Sequence, residues 1–167
     1  MPGIVRIADY IQILKRGERA QGRTPLEFLD EQIRTAEASL EEARHAVAAA
    51  TRNREDARRL ATDAEAVLLL ARFYRFKVGA AVAKALADSH LDERANSAAC
   101  LTGLRASVEQ YRKLTRLTTE TYDSMTDVPA WDPVHDLPCP YHWSDLLPVF
   151  EKELVAMEHD APAQARR

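Results

Sequence analysis

The sequence predicts an all-α fold: an antiparallel bundle of three long helices plus a shorter C-terminal helix, with a short N-terminal helix ahead of them. Three observations point there. Ala, Leu, Glu and Arg, all strong helix formers, dominate a 167-residue chain that contains only five glycines. Apolar residues recur at alternating steps of three and four, the spacing that lines one face of a helix. Polar breaks at 17–23, 53–56 and 88–92 divide those runs. A chain of this length has room for one domain with a real core.

The first helix is IADYIQILKR, with Ile7, Ile11 and Leu14 on one face and Gly17 as its stop. Gly17 to Arg23 reads as a linker. Thr24-Pro25-Leu26-Glu27 then marks a helix start. Thr24 can accept from backbone N–H groups, Pro25 suits the first helical position, and Glu27 completes a capping box. The apolar residues that follow (Leu26, Leu29, Ile33, Ala36, Leu40, Ala43, Val47 and Ala50) form a heptad seam. This helix is expected to run to about residue 52, about 40 Å at 1.5 Å per residue.

Asn53-Arg54-Glu55-Asp56 is read as a turn. A second seam follows at Leu60, Ala64, Val67, Ala71, Tyr74, Val78, Ala81 and Ala85. Leu68, Leu70, Phe73, Phe76 and Val82 flank it, so this helix meets neighbours on more than one side and is expected to be central. Small residues at Gly79-Ala80-Ala81 admit a close partner backbone. Asp92 is expected to cap the third helix, which carries Leu101, Leu104, Val108, Tyr111, Leu114, Tyr122 and Met125 to about residue 126. Ser144 is the expected cap of the last helix, with Asp145 in its first turn and a face of Leu147, Phe150, Leu154 and Met157. The expected organisation is residues 1–23 as short helix and linker, 24–159 as bundle, and 160–167 as a disordered tail.

Residues 127–143, DVPAWDPVHDLPCPYHW, break this composition. They hold both tryptophans, four of the eight prolines and two of the five histidines. Asp132, His135, Asp136, Cys139 and His142 are competent metal ligands, and His135-x3-Cys139-x2-His142 could hold zinc. The spacing matches no standard finger, however. The simpler reading is a rigid aromatic cap over the end of the bundle that presents Trp131, Tyr141 and His142 to a partner or a sugar ring. Trp143 would staple the start of the last helix.

Other motifs carry less. Glu42-x-x-His45 has the spacing of a di-iron ligand pair. It occurs once, off the seam, and is expected to face solvent. The groups Arg52/Arg54/Arg58/Arg59 and Arg105/Arg112/Lys113/Arg116 are diluted by acidic neighbours. A net charge of −3, from 23 basic and 26 acidic side chains, argues against a nucleic-acid partner. Arg72 and Arg75 sit inside the most apolar run and are expected to pair with carboxylates, an anion site being the alternative. Neither a phosphate-binding glycine loop nor G-x-S-x-G nor H-E-x-x-H occurs. No catalytic residue and no cofactor is therefore assigned, and the chain is expected not to be an enzyme. The N-terminus lacks the pattern of a signal peptide, and Arg72, Arg75, Lys77 and Lys84 interrupt the apolar run, so no membrane span is expected. Two cysteines, Cys100 and Cys139, are no disulfide framework.

The stretches LARFYRFKVGAAVAKALAD, LRASVEQYRKLTRLTTETYDSM and PYHWSDLLPVFEKELVAME, with the opening PGIVRIADYIQILKRGE and RTPLEFLDEQI, resemble the helical C-terminal region of large bacterial proteins related to glycoside hydrolases. The resemblance covers roughly residues 2–158. It implies an accessory role, in which the bundle buttresses an enzyme or mediates its assembly while sugar chemistry resides in another module. The expectation is thus a non-catalytic interaction or scaffolding module. A protein partner or a second copy is its main contact, with weak carbohydrate contact at the loop. The alternative is a small metal-binding protein that uses loop 131–143.

Overall fold

The computed structural model describes residues 3–123, 131–132, 137–138 and 142–164, with the backbone alone at 131–132, 137–138 and 160–164. It is all-α, with five helices among the described residues: α1 (Ile7–Lys15), α2 (Pro25–Ala49), α3 (Arg54–Ala87), α4 (Glu93–Thr119) and α5 (Trp143–Gln164). Two-residue strands, β1 (Trp131–Asp132) and β2 (Leu137–Pro138), pair antiparallel between α4 and α5.

Local chemistry sets the helix ends. Gly17 adopts φ +66°, and the Gly17 N–H to Leu14 O (3.0 Å) and Glu18 N–H to Ile13 O (3.1 Å) bonds close α1 in a Schellman motif. At α2 the Glu27 N–H donates to Thr24 Oγ1 (3.2 Å) and the Thr24 N–H donates to Glu27 Oε2 (2.9 Å), so the capping box forms as expected. The Thr24 N–H holds the Glu27 carboxyl below its usual range. The α2–α3 turn falls at residues 50–53, earlier than expected: Ala50 is extended and Asn53 takes the left-handed conformation at φ 52°. Arg54, Glu55 and Asp56 are already helical, the two carboxylates favourably placed in the first turn.

Three further helix ends differ from expectation. Asp92 does precede α4, but with φ 42° its side chain makes no cap bond. The turn is tied instead by Asn96 Nδ2 donating to Leu91 O at 2.6 Å. α4 ends at Thr119 rather than near 126, leaving Tyr122 beyond it; Met125 lies outside the described residues. The α5 backbone continues to Gln164, past the point where the tail was expected to begin.

α3 is the central helix. It packs against α2 on one side and against α4 on the other, α5 packs on α4, and α1 touches α3. The larger core joins Leu69, Phe73, Ala80 and Ala83 of α3 to Cys100, Leu104, Val108, Tyr111 and Leu114 of α4 and Leu146, Phe150 and Leu154 of α5. Its centre is three rings: Phe73–Tyr111, Phe73–Phe150 and Tyr111–Phe150, at 4.9, 4.8 and 4.7 Å between centroids. A smaller cluster packs Ala36 and Leu40 of α2 on Leu68, with Ile33 and Ala64 beside them. The expected α2 seam is therefore buried at Ala36, Leu40 and Ala43 and partly buried at its other positions. Cys100 is a buried free thiol, and burial raises its pKa.

The seam expected on α3 is not the core. Leu60, Val67 and Tyr74 are 57%, 59% and 50% exposed, whereas Leu68 and Phe73 are 5% and 2% exposed. The reason lies in the packing. A heptad stripe is buried when one partner helix covers it. α3 instead serves α2 on one flank of the stripe and α4 and α5 on the other, so the flanking residues are buried and the stripe opens to solvent.

Candidate functional site

Of the residues expected to meet a partner, only His142 has a described side chain, and it is occupied locally. α5 begins at Trp143, so His142, not Ser144, holds the cap position. The Ser144 N–H donates to His142 Nδ1 (3.1 Å), Ser144 Oγ lies 2.9 Å from the same nitrogen, and the His142 N–H donates to Asp145 Oδ2 (2.7 Å). The bonds form a reciprocal capping box in which an imidazole replaces the usual hydroxyl or carboxylate. Accepting at Nδ1 assigns the ring proton to Nε2. Nε2 is buried without a hydrogen-bond partner among the described residues.

The ring of His142 meets Trp143 edge-on at 5.5 Å, and Trp143 packs on Tyr122 at 5.4 Å. Tyr122 Oη donates to the Asp63 carboxylate of α3. Burial, and then this hydrogen bond, push the Tyr122 pKa up to about 12. This chain of contacts closes one end of the bundle. The side chain of Trp131, and all of His135, Asp136, Cys139 and Tyr141, lie outside the described residues, as does most of the expected metal set. Among the described residues no group of three or more His, Cys, Asp or Glu side chains could hold a metal ion. Glu42 and His45 are exposed, as expected.

Arg72 and Arg75 pair with carboxylates of α2: Arg72 Nη2 to Glu37 Oε1 at 2.7 Å and Arg75 Nε to Asp30 Oδ1 at 2.6 Å. An open cleft of about 440 Å³ lies beside them, lined also by Ile33, Phe76 and Gln110. Two cations met by two carboxylates leave no local excess of positive charge, which disfavours the anion alternative. Several other basic side chains are paired in the same way. Arg105 meets Glu158 and Arg112 meets Glu151, both at 2.9 Å, and Arg58 meets Glu55 at 2.9 Å. Lys77 pairs with Glu153 and lies over the Phe150 ring, 4.4 Å from its centroid.

The surface that sequence reading missed is the groove between α2 and α3. It is about 810 Å³ and is lined by the short side chains of Thr35, Ala38, Ser39, Ala43 and Ala46 and the charged Glu31, Arg34 and Glu42 from α2, with Leu60 and Ala64 from α3. The exposed stripe Leu60–Val67–Tyr74 meets it at Leu60. The sequence held a signal for it in the short side chains of α2 opposite a heptad with large residues, but only the arrangement of two helices makes it a groove. No described helix is long and apolar enough to cross a membrane.

No protein-family model matches this chain, and no curated protein does either. Among solved structures, the chain is similar to a GH138 enzyme targeting pectin rhamnogalacturonan II, with a TM-score of 0.86 at 20% sequence identity over 97% of this chain. The match covers 24% of that enzyme's chain. The shared property is the fold alone, and this chain spans about a quarter of that enzyme's length.

Proposed function

We propose that this chain is a non-catalytic helical module that binds another protein surface, accessory to a carbohydrate-active enzyme. The observation that carries the reading is the uncovered stripe of α3, where Leu60, Val67 and Tyr74 stand half-exposed or more on one helix and Leu60 also lines the α2–α3 groove. Large apolar residues aligned along one helix mark an interaction face, whereas scattered ones do not. The similarity to a quarter of a GH138 enzyme's chain supports a setting in which other modules supply the sugar chemistry. The described ion pairs and the aromatic core support a structural role for the buried and charged groups, leaving the α2–α3 face to do the binding.

The test has two arms. The purified chain is incubated with pectic and other plant polysaccharides and assayed for reducing-end release. It is then mixed with a glycoside hydrolase catalytic module from the same genome and followed by analytical ultracentrifugation, beside Val67→Asp. No hydrolysis, with an association, whether with that module or with a second copy of the chain, that Val67→Asp abolishes, is the expected result. Hydrolysis by the chain alone would overturn the reading.

A further inference from the structure

Resting on the reading of α3 as a binding face, we infer that its occupant is a second copy of this chain, with the two α3 helices packed antiparallel about a twofold axis near Leu70. Two independent features point to self-recognition. The first is charge. The column beside the exposed stripe, at intervals of seven, reads Asp56, Asp63, Leu70, Lys77, Lys84. It is acidic towards the start of α3, apolar at the centre and basic towards the end. Two such columns running in opposite directions place Asp56 against Lys84 of the other copy, and Asp63 against Lys77. A parallel arrangement would put like charges side by side, so the pattern selects orientation as well as partner.

The second feature is shape. In the register set by those charge pairs, the layers of the stripe become Leu60 on Val78, Ala64 on Tyr74 and Val67 on Ala71, and each recurs by symmetry. Every layer sets a larger side chain against a smaller one. The half-exposed Tyr74 ring of each copy falls on Ala64 of the other, in the groove whose α2 side includes the short Thr35, Ala38 and Ser39 as well as the charged Glu31, Arg34 and Glu42. One copy thus offers both the protruding ring and the hollow it fills, which is the property an isologous contact needs.

The existing partners of these charges allow the exchange. Asp56 makes no ion pair among the described residues. Lys84 pairs with Asp88 one turn away, at 3.0 Å on a half-exposed surface, an interaction worth little. Asp63 accepts from Tyr122 and Lys77 pairs with Glu153, so these inner groups are already oriented and contribute mainly their field. From Leu60 to Ala81 the face is about 32 Å long, and two helices wide it is about 20 Å across. That footprint is near the lower end of stable interfaces, so association in the micromolar range is expected.

Sedimentation equilibrium on the full chain, from about 1 to 300 µM, tests this. The expected mass rises from 18.8 kDa to twice that value. Val67→Asp should hold the chain monomeric with an unchanged far-UV circular dichroism spectrum. Asp56→Lys and Lys84→Glu should each weaken association about fivefold, and the double variant Asp56→Lys/Lys84→Glu should restore it because the pairs re-form across the axis. A monomer at every concentration, or a dimer indifferent to Val67→Asp, or a double variant no better than the singles, would overturn the inference. A monomer whose association with a catalytic module is still lost in Val67→Asp would sink the dimer and leave the module reading standing.

Discussion

Gly103 of α4 sits against Ala80 of α3 so closely that a Cβ at position 103 would lie 3.0 Å from the Ala80 Cβ and 3.2 Å from the Phe76 carbonyl oxygen. Ala80 is 1% exposed and packs in the main core, so it has nowhere to retreat. The small residues of α3 do admit a close neighbour, as the sequence suggested, and the glycine that uses the opening is on the facing helix.

Two glycines therefore respond oppositely to one methyl group. Gly103→Ala gains about 1 kcal/mol of helix propensity but meets an overpacking cost of about 1–3 kcal/mol, for a net loss of about 1 kcal/mol. Gly79→Ala would meet only the Arg75 Nη1 end of a flexible side chain at 3.3 Å, and is expected to gain about 0.5–1 kcal/mol. Urea denaturation of both variants checks the contrast. Equal signs would show that the α3–α4 contact is looser than the geometry implies.

The chain's pH response has a specific carrier. Tyr122 has its pKa raised to about 12, against an ordinary value of 10.0. The folded state holds the phenol proton more tightly than the unfolded chain. The stabilisation is therefore fully present below about pH 10 and is lost as pH rises through about 12. Ultraviolet titration of the chain minus that of Tyr122→Phe should give one phenolate with a midpoint near 12. Asp63→Asn should bring that midpoint down without returning it fully to the ordinary value, because burial is the larger cause and remains. A difference titration centred at the ordinary value would show that Tyr122 does not reach Asp63.

His142 is a cap, and it should behave as one. Replacing it by Ala removes the acceptor for the Ser144 N–H and should lower stability by about 0.5–2 kcal/mol. Asn at the same position can accept that bond and should recover most of the loss. If Ala and Asn are equally damaging, the imidazole matters for its packing on Trp143 rather than for the cap.

How far the sequence spoke depended on how many neighbours each helix has. α2 packs on a single helix, so its periodicity alone located Ala36, Leu40 and Ala43, and its capping box was legible residue by residue. The pairing of Arg72 and Arg75 with carboxylates was legible too, because a charge in an apolar run must be compensated. α3 misled the reading because several neighbours share its circumference and no single stripe describes what is buried. Ser144 outranked His142 as a cap for a related reason: propensity favours the hydroxyl, and the imidazole wins only through the geometry around Trp143. The α2–α3 groove belongs to neither helix alone, so no linear pattern contains it.

Neighbouring positions on α3 give the most direct check of that misreading. Val67 is 59% exposed and Leu68 is 5% exposed, although the heptad pattern ranks Val67 as the core residue. Leu68→Ala would open a cavity beneath Ala36 and Leu40 and should cost about 2–4 kcal/mol. Val67→Ala should cost no more than about 0.5 kcal/mol when measured at about 1 µM, where self-association does not contribute. Chemical denaturation at that concentration and again near 200 µM separates the two roles. Val67→Ala should be almost silent at the lower concentration and visible at the higher one, while Leu68→Ala should be severe at both. A large loss for Val67→Ala at about 1 µM would mean that the stripe is covered from within the chain, and the face proposed for binding would not be free.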